Sequence, residues 1–149
     1  MAKGLTTLVL LLAMSTLAFA QNSEEVVGSI TTATGDVTIV RGDSMVNGSK
    51  GVRLLTSDVI LTAEDASVGI VLRDDTTLSL GSSSELKMSE FTFKPDEGIL
   101  GMTLSMAKGT LVYISGQISK LAPGSAKIET PSGVAAVRGT ELLIEVKAR

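Results

Sequence analysis

The 149-residue sequence has no cysteine, no histidine and no tryptophan, and it carries one tyrosine, three phenylalanines and three prolines. Without cysteine there is no disulfide, no thiol nucleophile and no thiolate ligand. Losing histidine as well removes the usual general base near neutral pH and the usual zinc ligands. A serine nucleophile would need a lysine or carboxylate as its base. Ser49-Lys50 and Ser119-Lys120 are adjacent pairs, not Ser-x-x-Lys on a helix. The expectation is a non-enzyme with no catalytic, cofactor-binding or metal-binding residues. The acidic pairs Glu64-Asp65, Asp74-Asp75 and Asp96-Glu97 lack the alternating spacing that wraps a loop around calcium. They read as turn residues, with Asp74-Asp75 facing solvent at a hairpin tip. One tyrosine and no tryptophan also leave little for stacking on a sugar ring. Phe91 and Phe93 read as core or as an inter-sheet contact.

Charge is scarce and nearly balanced, with 13 basic and 16 acidic residues. The first twenty residues read as a cleavable signal peptide: Lys3, then an apolar stretch through Met14, then Ala18-Phe19-Ala20 before Gln21. The run is too short for a stable membrane span, and no cysteine follows it to carry a lipid anchor. Removing these 20 of 149 residues leaves 129, and losing Lys3 takes the net charge from −3 to −4. That mild acidity offers nothing to attract nucleic acid or anionic lipid. The expected location is periplasmic or secreted, and residues 21–149 are expected to form one domain with its own core.

What the sequence does have is β pattern. Short apolar runs occur at 26–30, 37–41, 52–55, 59–61, 68–73, 76–80, 85–88, 91–93, 99–106, 110–114 and 126–130. Close turn signals separate them, among them Thr34-Gly35-Asp36, Arg41-Gly42-Asp43, Asn47-Gly48, Lys94-Pro95-Asp96 and Lys108-Gly109. Arg41-Gly42-Asp43 matches an adhesive tripeptide and Asn47-Gly48-Ser49 a glycosylation acceptor; both read better as hairpin turns. Val68, Ile70, Leu72, Leu78 and Leu80 share one face, and Leu86 and Met88 continue it. Phe91 and Phe93 then switch parity, which predicts a bulge or bend at Ser89-Glu90. Only residues 105–108 hint at a helix, and they are too few to nucleate one. The predicted class is all-β: a twisted, β-solenoid-like or β-sandwich unit of many short strands. The likeness of Gly35-Asp36-Val37-Thr38-Ile39 to Gly109-Thr110-Leu111-Val112-Tyr113 favours an irregular solenoid over a symmetric barrel.

The most informative segment is 128–146, IETPSGVAAVRGTELLIEV. Pro131 withholds a donor and Gly133 tolerates a positive φ, so one run ends there and a second begins. Period-two geometry puts Val134, Ala136, Arg138, Thr140, Leu142, Ile144 and Val146 on one face, read as the buried one. Arg138 is its single charge. Buried, it needs a carboxylate such as Asp58 or Glu129; with a bulge at Gly139 it turns outward instead. The buried reading is preferred.

The segment resembles the C-terminal signature of the FecR domain, a Thr-Pro turn, a short strand and then Arg-Gly-Thr, here Thr130, Pro131, Arg138, Gly139 and Thr140. Upstream, Gly51, Leu54, Asp58, Ile60 and Thr62 and the hairpin at 68–78 follow the same family's rhythm, so the resemblance spans about 30–146. Two positions depart from it. Ser57 stands where the family has a glycine before the aspartate, and Asp75 where it has the glycine of an Asp-Gly turn. The resemblance implies a FecR-type envelope domain. In that family a periplasmic domain receives a signal from an outer-membrane siderophore receptor and passes it to a sigma-factor regulator. The sequence shows no membrane helix apart from the leader, so the domain and its compartment are expected to carry over, and the signalling circuit is not. The expected function is a non-enzymatic, exported module that binds or senses a protein of the bacterial envelope through a strand edge or sheet face. The alternatives are a module binding a glycan or envelope polymer, and a structural protein that self-associates through its strand edges.

Overall fold

The computed structural model describes residues 25–139 and 141–147, so the leader reading and Thr140 lie outside the described residues. The chain is all-β. Its strands are β1 (Val26–Thr34), β2 (Val37–Arg41), β3 (Ser44–Asn47), β4 (Arg53–Leu55), β5 (Val59–Thr62), β6 (Ser67–Leu72), β7 (Thr77–Leu80), β8 (Glu85–Lys94), β9 (Ile99–Ile114), β10 (Ala126–Thr130), β11 (Gly133–Val137) and β12 (Glu141–Val146). Among the described residues, one short helix, α1 (Gln117–Leu121), follows β9, and a single 3₁₀ turn, Pro95–Glu97, joins β8 to β9.

These strands curl into one sheet because β9 is shared. Up to Lys108 it runs between β8 and β10; from Gly109 onward it runs between β7 and β12. One half is therefore ordered β3-β2-β5-β8-β9-β10-β11 and the other β4-β1-β6-β7-β9-β12. Neighbours are antiparallel except β9 and β10.

The change of direction has a local cause at Lys108-Gly109, where the sequence predicted a turn. The strand does not end there; it bends. Gly109 has φ +96°, a conformation that L side chains rarely adopt, and a Cβ at that position would sit 2.0 Å from Ser84 Oγ and 2.4 Å from Ser84 Cα. Ser84 fills that space and accepts the Thr110 N–H at 3.1 Å. The lookalike fragment opens in the same way: Gly35 has φ +71°, and Val37 and Ile39 after it are buried as Leu111 and Tyr113 are.

The concave face forms one hydrophobic core. Val68, Ile70, Leu72, Leu78, Leu80, Leu86 and Met88 are all buried on it, as their parity predicts. Fully burying an aliphatic side chain of this size contributes about 1.5–3 kcal/mol. The predicted irregularity is present as well: the β8–β9 register shifts between Met88 and Glu90, which lets Phe91 reach the core. Phe93 packs half-buried against it.

Three local expectations are corrected. Asn47-Gly48 is not a hairpin turn. Gly48 donates to the Val37 carbonyl at 2.7 Å, extending the β2–β3 pairing, and the chain then crosses to β4, which pairs with β1. Ser44–Asn47, whose two apolar residues are flanked by polar ones, forms a strand that the apolar pattern did not mark. Asp74 does not face solvent but is fully buried, while Asp75 beside it is exposed with φ +68°.

Candidate functional site

Residues 128–146 do not form two runs but parts of three strands, and the break between the second and third decides where Arg138 points. β11 ends at Val137 and pairs with β10; β12 starts at Glu141 and pairs with β9. The two belong to different halves of the sheet, so no single parity runs through 134–146. Val137 is buried, whereas Val134 and Ala136 are exposed; beyond the break Leu142, Ile144 and Val146 are half-buried. Arg138 is exposed. The buried reading of Arg138 is therefore overturned, and the outward reading holds, through a strand break at Gly139 instead of a bulge. Neither expected partner meets it. Asp58 is paired with Arg41, and Glu129 is exposed and accepts from Ser105 Oγ at 3.3 Å.

The signature residues separate into two places. Thr130 and Pro131 make the β10–β11 turn, where Thr130 Oγ1 accepts the Ser132 N–H at 3.3 Å and donates to the Gly133 carbonyl at 3.1 Å. Arg138 and Gly139 lie at the other end of β11, where the Gly139 carbonyl accepts a hydrogen bond from Ser115 Oγ. Between them stretches Gly133-Val134-Ala135-Ala136-Val137, which among the described residues pairs with β10 on one side only. In such an edge strand, alternate N–H and C=O groups point away from the partner and are open to another chain. Gly133, Val134, Ala135 and Ala136 are all exposed, Val134 at 64%. None is charged, and none is proline. Beside the hairpin lies a groove of about 590 Å³, lined by residues at the end of β10 and its turn (Thr130, Pro131, Ser132), by Ala107 of β9 and by Ile144 to Lys147 at the end of β12.

The buried polar groups elsewhere hold the sheet together. Asp74 Oδ1 accepts the Thr76 N–H at 3.1 Å; its Oδ2 accepts Thr76 Oγ1 at 2.7 Å and the Ile118 N–H at 3.1 Å. The Asp74 carbonyl accepts the Gln117 N–H at 2.7 Å, so the β6–β7 turn fixes the start of α1. From α1, Ser119 Oγ meets Tyr113 Oη at 2.9 Å. Burial pushes the Tyr113 phenol above its ordinary value; the Ser119 hydrogen bond opposes the rise and the Asp74 carboxylate adds to it. Tyr113 is fully buried, so it cannot stack on a ligand. No buried side-chain polar atom lacks a partner among the described residues, and no group of three or more acidic side chains gathers there. No helix among the described residues is long and apolar enough to cross a membrane.

The two departures from the FecR pattern coincide with backbone strain. Ser57 has φ +72° and Asp75 φ +68°, both in the left-handed region where glycine is at ease. The backbone a glycine would serve is thus retained at both positions with another residue in place.

No curated protein and no solved structure matches the chain. A family model does: the model described as FecR protein matches residues 58–149. Gly51 and Leu54 precede the matched span, whereas the β6–β7 hairpin, Ser115, the β10–β11 hairpin and Arg138-Gly139-Thr140 fall inside it. With well over half of its length covered, the chain belongs to the FecR protein family.

Proposed function

We propose that this chain is a non-enzymatic, exported module of the bacterial cell envelope that binds protein by accepting a strand at β11. Membership of a family of envelope sensors supports the compartment and the sensing role. The observation that carries the binding reading is the β11 edge itself: five residues paired on one side, exposed over four of them, without charge or proline. Exported proteins usually blunt such an edge with lysine, proline or a bulge, because an open ladder recruits other chains. Here it is left open. A partner strand would satisfy the outward main-chain groups, with small side chains on both faces allowing close approach.

The test is a photo-crosslinking residue at Val134 in cells making the full chain, with and without Ala135→Lys. Ala135 lies on the same parity as buried Val137, so a lysine there is hydrated in the free chain but covered once a strand is added. A protein adduct at Val134 that Ala135→Lys removes, with the melting temperature unchanged, is the expected result. An adduct that survives Ala135→Lys, or no adduct, would refute strand addition at β11.

A further inference from the structure

We infer that the strand β11 accepts is β3 of a second copy of this chain, added head to tail so that Asp43 lies opposite Arg138. This rests on reading β11 as a strand acceptor, and four features then select β3.

The first is position. β3 and β11 are the two outer strands of the same half-sheet, β3-β2-β5-β8-β9-β10-β11. The second is direction. Following the pairings across that half, with only β9 and β10 parallel, β3 and β11 run in opposite senses. Repeating the unit sideways sets β3 of one copy antiparallel to β11 of the next, with no inversion of either.

Parity is the third. Val46 packs against the core from β3, and Val137 is buried on β11, so Ser44 and Val46 share the inner face with Ala135 and Val137. Residues directly opposite in an antiparallel pair lie on the same face. The register that places Val46 opposite Ala135 and Ser44 opposite Val137 keeps the inner face continuous; a slip by one residue would destroy it.

The fourth feature is charge and size, and it follows from that register without further adjustment. Met45, 78% exposed, comes opposite the small Ala136, and Asn47 comes opposite Val134. One residue beyond, Asp43 comes opposite Arg138, and both are exposed. Opposite charges across a pair stabilise a register. Antiparallel pairing of β11 with another β11, centred on Ala135, sets Arg138 against Ser132 and supplies no such match. Because the two surfaces differ, each added copy leaves β3 free at one end and β11 at the other, so growth does not stop at a dimer.

The absence of native cysteine makes the test clean. Met45→Cys and Ala136→Cys chains, mixed under mild oxidation, should give a covalent dimer, since opposed residues lie within disulfide range. Either variant alone should give little. In sedimentation velocity the unmodified chain should form species beyond a dimer as concentration rises. Asp43→Lys and Arg138→Asp should each lose them, and the two together in one chain should restore them. Disulfide formation by Ala136→Cys alone, a chain monomeric at its highest soluble concentration, or charge variants that assemble like the parent would overturn the inference. If head-to-tail species are absent while Ala135→Lys still removes the Val134 adduct to another protein, only this inference falls. If Ala135→Lys leaves that adduct in place, strand addition falls with it.

Discussion

Arg41 grips Asp58 with a two-point fork: Nε donates to Oδ1 at 3.0 Å and Nη2 to Oδ2 at 2.8 Å. Nη2 also donates to the Arg53 carbonyl at 2.9 Å, and Asp58 Oδ2 accepts the Leu55 N–H at 2.8 Å. The pair thus ties the end of β2 to β4 and to the β4–β5 turn. Asp58 is 1% exposed, so it depends on this partner, whereas Arg41 is partly solvated. Replacing Arg41 with alanine should cost about 2 kcal/mol, less than breaking a fully buried pair because Arg41 keeps contact with water. Urea unfolding at neutral pH measures it. Arg41→Lys should recover only part of the loss, since one ammonium cannot reproduce the fork.

Ser57 precedes that aspartate with φ +72°, while its N–H donates to the Met88 carbonyl at 2.7 Å. Ser57→Gly keeps the hydrogen bond and removes the left-handed strain, offset in part by a freer unfolded chain. A net gain of roughly 0.5 kcal/mol is expected, read as a higher urea midpoint. Asp75→Gly should gain less, because it gives up the Gln117 Nε2 hydrogen bond at 3.0 Å.

Tyr113 is the only tyrosine and the chain has no tryptophan, so tyrosinate absorbance reports on one group. Its folded pKa is raised above 10.0, chiefly by burial. The folded state therefore holds the phenolic proton more tightly than the unfolded state. The resulting stability is complete below the unfolded pKa and is lost as pH rises through the folded one. Stability should fall on the alkaline side of that value. Tyr113→Phe should be less stable at neutral pH, for loss of the Ser119 hydrogen bond, but should show a shallower alkaline decline.

Gly109→Ala would force a Cβ into Ser84 at a backbone angle suited to glycine. Ser84 cannot swing clear, because its Cα is among the clashing atoms. Destabilisation of about 2–4 kcal/mol is expected, in the range of overpacking combined with backbone strain. Thermal unfolding checks it.

Periodicity made much of the fold legible. Leu78 and Leu80, or Leu86 and Met88, reveal their face by alternation alone, and the switch to Phe91 and Phe93 marked the irregularity after Met88. Glycine signals were less specific. Lys108-Gly109 reads like a turn whether the strand ends or bends, and the outcome depends on Ser84, 25 positions away in sequence. Helix α1, at five residues, is too short for periodicity to register and is held by Asp74. The candidate site was half legible. The Thr130-Pro131 turn and the special character of Arg138-Gly139 could be read directly. The direction of Arg138 could not, because it depends on β11 and β12 joining different halves of the sheet. Asp58 invited Arg138 as its partner when Arg41 had already taken it, and β3 was hidden by its shortness, with only Met45 and Val46 apolar.

The account stands on β11 as an acceptor edge, and amide hydrogen exchange across residues 133–137 tests it most directly. In the free chain the outward amides of β11 should exchange fast, alternating with slow ones bonded to β10. On binding, whether to a second copy at high concentration or to an envelope protein captured through Val134, the fast amides should slow by at least about tenfold, which corresponds to 1.4 kcal/mol. Binding that leaves those amides fast while protecting another part of the sheet would contradict it.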